Sequence, residues 1–146
     1  MIGVYLSGTG NTKHCIEKLI YLLDETAQAV PIEGKETVRL LSQHEFIVLA
    51  YPVQFSNAPV MVRNFIKDNS ELWKNKQVLC VATMGLFSGD GAGCSARLLK
   101  KCGASIVGGL HICMPDSICD VKLLKRSVEK NREIIKAADR KIEKCA

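Results

Sequence analysis

Apolar residues fall into short continuous runs that alternate with segments of helical period along the chain. Ile2-Gly3-Val4-Tyr5-Leu6 is the first run, followed by polar and glycine residues and then a helix whose face is marked by Ile16, Leu19, Ile20 and Leu23. Ala29-Val30-Pro31-Ile32 reads as a weaker strand, and its proline suits a sheet edge, where no backbone donor is needed. Phe46-Ile47-Val48-Leu49-Ala50-Tyr51 is the clearest buried strand. Beyond the loop that begins at Pro52, Val62, Phe65 and Ile66 mark a second strong helix, with Pro59 at a first-turn position. Val78-Leu79-Cys80-Val81-Ala82 is the next strand. A glycine-rich stretch over 85–93 precedes a helix through Ala96, Leu98 and Leu99, which Gly103 is placed to stop. Residues 105–113 form the last strand, where Gly108-Gly109 predicts a bulge. A closing helix carries Leu124, Val128, Ile135, Ala138 and Ile142 on one face. Residues 33–44 predict only a short or irregular helix.

Five strands that are apolar throughout, with helices between them, predict a parallel sheet covered on both faces. The 146 residues suit one domain spanning 1–146, with no repeat, low-complexity tract or linker. Hydrophobic residues at 47% and charged residues at 24% are ordinary for a soluble domain. No apolar run approaches a membrane span, and the first residues lack the basic start and cleavage site of an export signal. A cytoplasmic protein is expected. Seven cysteines do not change that expectation: the number is odd and no pair has C-x-x-C spacing. Cys94, Cys102, Cys113, Cys119 and His111 lack the close pairing of zinc or iron–sulfur sites, so free thiols and no metal are expected.

The net charge of +5 is confined to one segment. Residues 122–144 hold nine Lys or Arg against four Asp or Glu, whereas residues 1–121 hold eleven of each. A basic helix face of this kind is solvated surface or a docking site for an acidic protein partner. No aromatic residue interleaves it, so nucleic-acid binding is not expected.

Ligands of open parallel sheets bind beyond the carboxyl ends of the strands. The first loop there, Ser7-Gly8-Thr9-Gly10-Asn11-Thr12, runs directly into a helix. Its glycines admit a close backbone approach, and the helix-start amides and the hydroxyls of Ser7, Thr9 and Thr12 can ring an anion. The P-loop pattern G-x-x-x-x-G-K-[ST] is absent, and the dinucleotide fingerprint fails where Lys13 replaces its third glycine. A terminal phosphomonoester fits best. The second loop, Pro52-Val53-Gln54-Phe55-Ser56-Asn57-Ala58-Pro59, offers an aromatic among small polar residues, with Asn57 suited to a left-handed backbone. The third, Met84-Gly85-Leu86-Phe87-Ser88-Gly89-Asp90-Gly91, offers a second aromatic and many backbone donors. Together the loops describe a ligand that is phosphate at one end and flat at the other.

Val4-Tyr5-Leu6-Ser7-Gly8-Thr9-Gly10-Asn11-Thr12 closely resembles the first strand and phosphate loop of flavodoxins, and the likeness in layout covers essentially the whole chain. Tyr51-Pro52-Val53 and Leu86-Phe87-Ser88-Gly89-Asp90-Gly91-Ala92-Gly93 resemble the flavodoxin-like half of a two-domain family that ends in a ferredoxin with two iron–sulfur clusters. The resemblance implies a flavodoxin-like three-layer α/β sandwich, strand order 2-1-3-4-5, with FMN held by three loops for one- or two-electron transfer. Ser7, Thr9, Gly10, Asn11 and Thr12 would hold the phosphate. Pro52, Val53, Gln54, Phe55, Ser56 and Asn57, with Met84, Gly85, Leu86, Phe87, Ser88, Gly89 and Gly91, would flank the isoalloxazine, Phe55 and Phe87 nearest the ring.

Two departures from the family stand out. The ferredoxin cysteine pattern is absent, and the chain is basic where flavodoxins are acidic. It is also short for the insertion that long-chain flavodoxins carry in the last strand. The expected function is an electron carrier between redox proteins such as a ferredoxin or a reductase, docking through the basic helix. No catalytic acid, base or nucleophile is needed, so His14, His111 and Asp90 are expected at surface, packing and turn positions. Two other readings stand beside it: an FMN-dependent reductase that takes hydride from NAD(P)H for quinones or other small acceptors, and a flavin-free interaction module.

Overall fold

A computed structural model describes residues 1–116 and 126–146. Five parallel strands, β1 (Ile2–Tyr5), β2 (Ala29–Pro31), β3 (Phe46–Pro52), β4 (Gln77–Met84) and β5 (Ser105–Cys113), lie in the order β2-β1-β3-β4-β5. The helices are α1 (Asn11–Leu23), α2 (Thr37–Ser42), α3 (Val60–Asp68), α4 (Gly91–Lys101) and α5 (Val128–Cys145), with a 3-10 turn at Ser70–Trp73. The flavodoxin-like α/β fold expected from the sequence is therefore the one observed.

Alternation along the strands divides the interior into two layers. Ile47, Leu49 and Tyr51 of β3 join Val62 and Ile66 of α3, Leu99 of α4 and Trp73. Val48 and Ala50 face the other way, onto Cys15, Ile16, Leu19 and Ile20 of α1 and onto Ala138 and Ile142 of α5. Both faces are covered, which is why the central strands carry no polar alternation.

Pro31 does lie in an edge strand, and residues 33–44 hold only the six-residue α2. Ile32 falls just outside β2, although its N–H still donates to Tyr5 O at 2.7 Å. Pro59 is the residue before α3 rather than inside its first turn, and its carbonyl accepts from Arg63 N–H. Gly103, at φ +86°, ends α4: its N–H donates to Lys100 O and Ala104 N–H to Leu99 O, the paired bonds of a Schellman stop. In β5 the register with β4 skips Val107, placing the irregularity beside Gly108. Leu124 and Cys119 lie outside the described residues.

The described cysteines are free thiols. Burial pushes the Cys15 thiol up to about 12, with Asp139 adding to it, and the Cys80 thiol up to about 11. Well below pH 9 both are neutral whether folded or unfolded. Above it the unfolded thiols ionise first, so stability falls as pH rises from about 9 toward those folded values. Urea midpoints at pH 8 and pH 10.5 are expected to show a loss of about 1 to 2 kcal/mol per thiol, reduced in the Cys15→Ala, Cys80→Ala variant.

Candidate functional site

All three singled-out loops leave the carboxyl edge of the sheet, and a cleft of about 530 Å³ opens between them. That volume is in the range of small-molecule and cofactor sites. One end of the cleft is formed where β1 passes into α1. Gly10 precedes the first helical residue at φ +95°, a backbone that a side chain would strain. No acidic residue lies in the first turn of α1 itself, where the positive end of the helix dipole faces the cleft. Ser7 Oγ accepts from the N–H groups of Gly10 (3.2 Å) and Lys13 (3.3 Å), which holds the loop curled over the helix start.

Thr12 is buried, and its hydroxyl meets Thr83 Oγ1 at 2.8 Å. With Thr83 donating, Thr12 Oγ1 can still donate into the cleft, which both residues line. Asn11 reaches across to donate from Nδ2 to Pro115 O at 2.8 Å, joining the first loop to the segment after β5. The other walls are largely apolar: Pro52, Val53, Val60, Met61, Met84 and Met114. The cleft thus joins a neutral, donor-rich cradle to an apolar slot.

The structure brings Ser7, Thr9, Asn11, Thr12, Pro52, Val53, Gln54, Met84 and Gly85 onto this cleft. Phe55, Ser56, Asn57, Leu86, Phe87, Ser88, Gly89, Gly91 and Gly10 lie off its lining. Phe55 is 104% and Phe87 79% exposed, so both rings stand at the rim in solvent. The left-handed backbone falls at Phe55 (φ 49°) and Ser56 (φ 58°), not at Asn57. The reason is the mutual bond pair between Gln54 and Asn57 (2.9 Å each way), which makes Phe55 and Ser56 the centre of a tight turn. Gly89, at φ +48°, packs on that turn, and a Cβ there would stand 2.4 Å from Ser56 Cβ.

The third loop is braced from behind. Buried Tyr51 donates to Gly91 O at 2.8 Å and contacts Ser95 Oγ at the start of α4. Ser88 Oγ meets His111 Nδ1 at 2.8 Å. Asp90 caps α4 as a turn residue, and its bond with Arg97 holds its carboxyl below the usual range. His14 pairs with Asp139 at 2.8 Å on the surface.

The carboxylate on the cleft wall is instead Asp116, with Gly85 beside it. Thr83, Met114, Pro115 and Asp116 are lining residues that the motif reading passed over. Thr83 was marked by a hydroxyl ending an apolar run. Residues 114–116 are marked by the same carboxyl-edge rule, applied to the loop after the last strand. No described group of three or more His, Cys, Asp or Glu is arranged to hold a metal ion.

A five-stranded, doubly wound parallel sheet with a cleft at its carboxyl edge defines an open α/β domain of the doubly wound class. The family model described as a flavodoxin domain matches residues 2–104, and the chain belongs to that family. Among solved structures, the two-electron-reduced flavodoxin of Megasphaera elsdenii is 24% identical, with a TM-score of 0.70 over 85% of this chain and 95% of that one. The Fusobacterium nucleatum flavodoxin, whose structure contains flavin mononucleotide, is 18% identical, with a TM-score of 0.65 over 98% and 92%. A flavodoxin from the domain Archaea is 18% identical, with a TM-score of 0.64 over 97% of each chain. No curated protein matches. Among the described residues no helix is long and apolar enough to cross a membrane.

Proposed function

We propose that the chain is a single flavodoxin-like unit that binds FMN in this cleft and passes electrons between redox proteins. The observation that carries the reading is the cleft itself, a cradle of hydroxyls and amides at the start of α1 continuous with an apolar slot. The residues present fit the group: a phosphate finds the amides and hydroxyls of the first loop at the start of α1, and a flat ring finds Pro52, Val53 and Met84, with Asp116 the one carboxylate among the described lining residues.

Ser7, Thr9, Gly10, Asn11 and Thr12 would hold the phosphate, the hydroxyls by donation and Gly10 by turning the backbone into α1. Residues 52–57 and 84–91 would flank the ring, and their backbone groups would bond its edge. Bound FMN supplies one- and two-electron redox chemistry. Pro52, Val53 and Met84 would exclude water from its inner face. Phe55 and Phe87 stand exposed at the rim. The Tyr51 bond to Gly91 O ties the end of the third loop to β3.

The likeness of residues 51–53 and 86–93 to a ferredoxin-fused family supports an iron–sulfur partner, encoded in the same chain or separately. Reductive titration of the FMN-loaded protein, followed in visible light, tests the carrier reading. Two separable one-electron steps and no saturable oxidation of NADH or NADPH are expected. Saturable NAD(P)H oxidation would assign the protein to the reductases.

A further inference from the structure

Helix α5 does not end level with the sheet. His14 pairs with Asp139, and Lys18 pairs with Glu143 at 2.7 Å, so α1 and α5 run side by side in the same direction. Val128 lies eleven residues before Asp139, whereas Asn11 lies three before His14. At 1.5 Å per residue, α5 therefore overhangs the start of α1 by about 12 Å. The start of α1 is the phosphate-loop edge, so the overhang rises beside the candidate cleft. Burial agrees: within α5 only Ala138 and Ile142 are buried, and Arg126 through Lys130 are exposed throughout.

The overhang is basic. Among the described residues, no ion pair holds Arg126, Lys130, Arg132 or Lys136, whereas Asp139 and Glu143 pair with His14 and Lys18 of α1. Val128 is an exposed apolar residue among these charges. An exposed apolar side chain ringed by basic ones suits a protein interface. Glu129 and Glu133 interrupt the stripe and would repel a phosphate rod, and the overhang lacks the large apolar face that a bilayer requires.

We propose that residues 126–136 form a docking arm for a small redox protein whose electron-transfer centre is rimmed by acidic residues. Such a partner would be steered by the arm to the cleft edge, an electrostatic sense opposite to that of an acidic carrier. The proposal rests on the electron-carrier reading above and names its partner's chemistry.

The test uses an acidic [2Fe–2S] ferredoxin as probe, with Kd and electron-transfer rate measured from low to high salt. The arm variant is Arg126→Gln, Lys130→Gln, Arg132→Gln, Lys136→Gln. The control, Lys67→Gln, Lys74→Gln, Lys100→Gln, Lys101→Gln, removes four exposed charges from the opposite edge of the sheet. The arm variant is expected to raise Kd at least about tenfold at low salt, with the control unchanged and wild-type binding weakening steeply as salt rises. Equal Kd for the two variants overturns the proposal. So does tighter binding to a DNA duplex or to phosphatidylserine vesicles than to the ferredoxin. Arm-dependent binding without electron transfer would count against the carrier reading and keep the arm. Electron transfer at a rate indifferent to the arm variant would remove the arm and keep the carrier.

Discussion

Combining Ser7→Ala with Thr9→Val is expected to raise the Kd for FMN about 100-fold or more, while the apo-protein keeps its far-UV circular dichroism. Each hydroxyl that donates to a charged phosphate contributes about 1.5 to 3 kcal/mol, and about 1.4 kcal/mol is a factor of ten in Kd. Two lost bonds therefore give about 3 kcal/mol at the least. Ser7 has a second role, because its Oγ also collects the N–H groups of Gly10 and Lys13. Without it the loop pre-organises less and binding weakens further. Both positions are at the surface edge of the cleft, so folding is expected to change little. Thr12 is left intact in this pair because its bond to Thr83 is buried, and breaking it would mix stability with affinity. Isothermal titration with FMN reads the result directly. An affinity within threefold of the unmodified chain would mean that the phosphate end lies elsewhere.

Trp73→Ala is expected to be the most destabilising single substitution, costing about 3 to 5 kcal/mol. Trp73 is fully buried between α3 and β4, and its ring meets Phe65 edge-on at 6.1 Å between centroids. Removing it leaves a cavity under the sheet and breaks the aromatic pair. For a chain of this size the melting temperature should fall by about 10 °C or more. Trp73→Phe is expected to cost much less. Among the described residues the indole Nε1 has no hydrogen-bond partner, so the smaller ring gives up volume but none of the described bonds. Urea unfolding followed by circular dichroism separates the two variants, since neither retains the chain's single tryptophan as a fluorescent probe. A loss below about 1 kcal/mol for the alanine variant would contradict the packing described.

The sheet was legible because burial on both faces leaves a simple signature in each strand. β3 and β4 are apolar without alternation, and Pro31 marks its own strand as an edge. α2 was faint for a physical reason: it buries only Thr37 and Leu41, so its sequence carries little periodicity. The turn from β1 into α1 could be read because its signal is local, two glycines and three hydroxyls running into a helix start. The positions of Phe55 and Phe87 could not be read. An aromatic among glycines and small polar residues has many loop conformations, and the turn that exposes Phe55 depends on a backbone exchange between Gln54 and Asn57. The wall formed by residues 114–116 lacks any motif, and only the carboxyl-edge rule applied to the end of β5 points to it. The overhang of α5 likewise escapes sequence reading, because its basic and apolar faces are periodic from end to end. Only the pairing of Asp139 with α1 shows where its contact with the body begins.

The central claim is that the cleft at the carboxyl edge holds FMN. Its most direct test is a visible absorption spectrum of the purified protein, taken before and after incubation with FMN and removal of the excess by gel filtration. The account predicts a retained flavin spectrum, shifted from that of free FMN, at one equivalent per chain, and its loss in the Ser7→Ala, Thr9→Val variant. A protein that remains colourless after incubation would contradict it and leave the three loops to a different ligand.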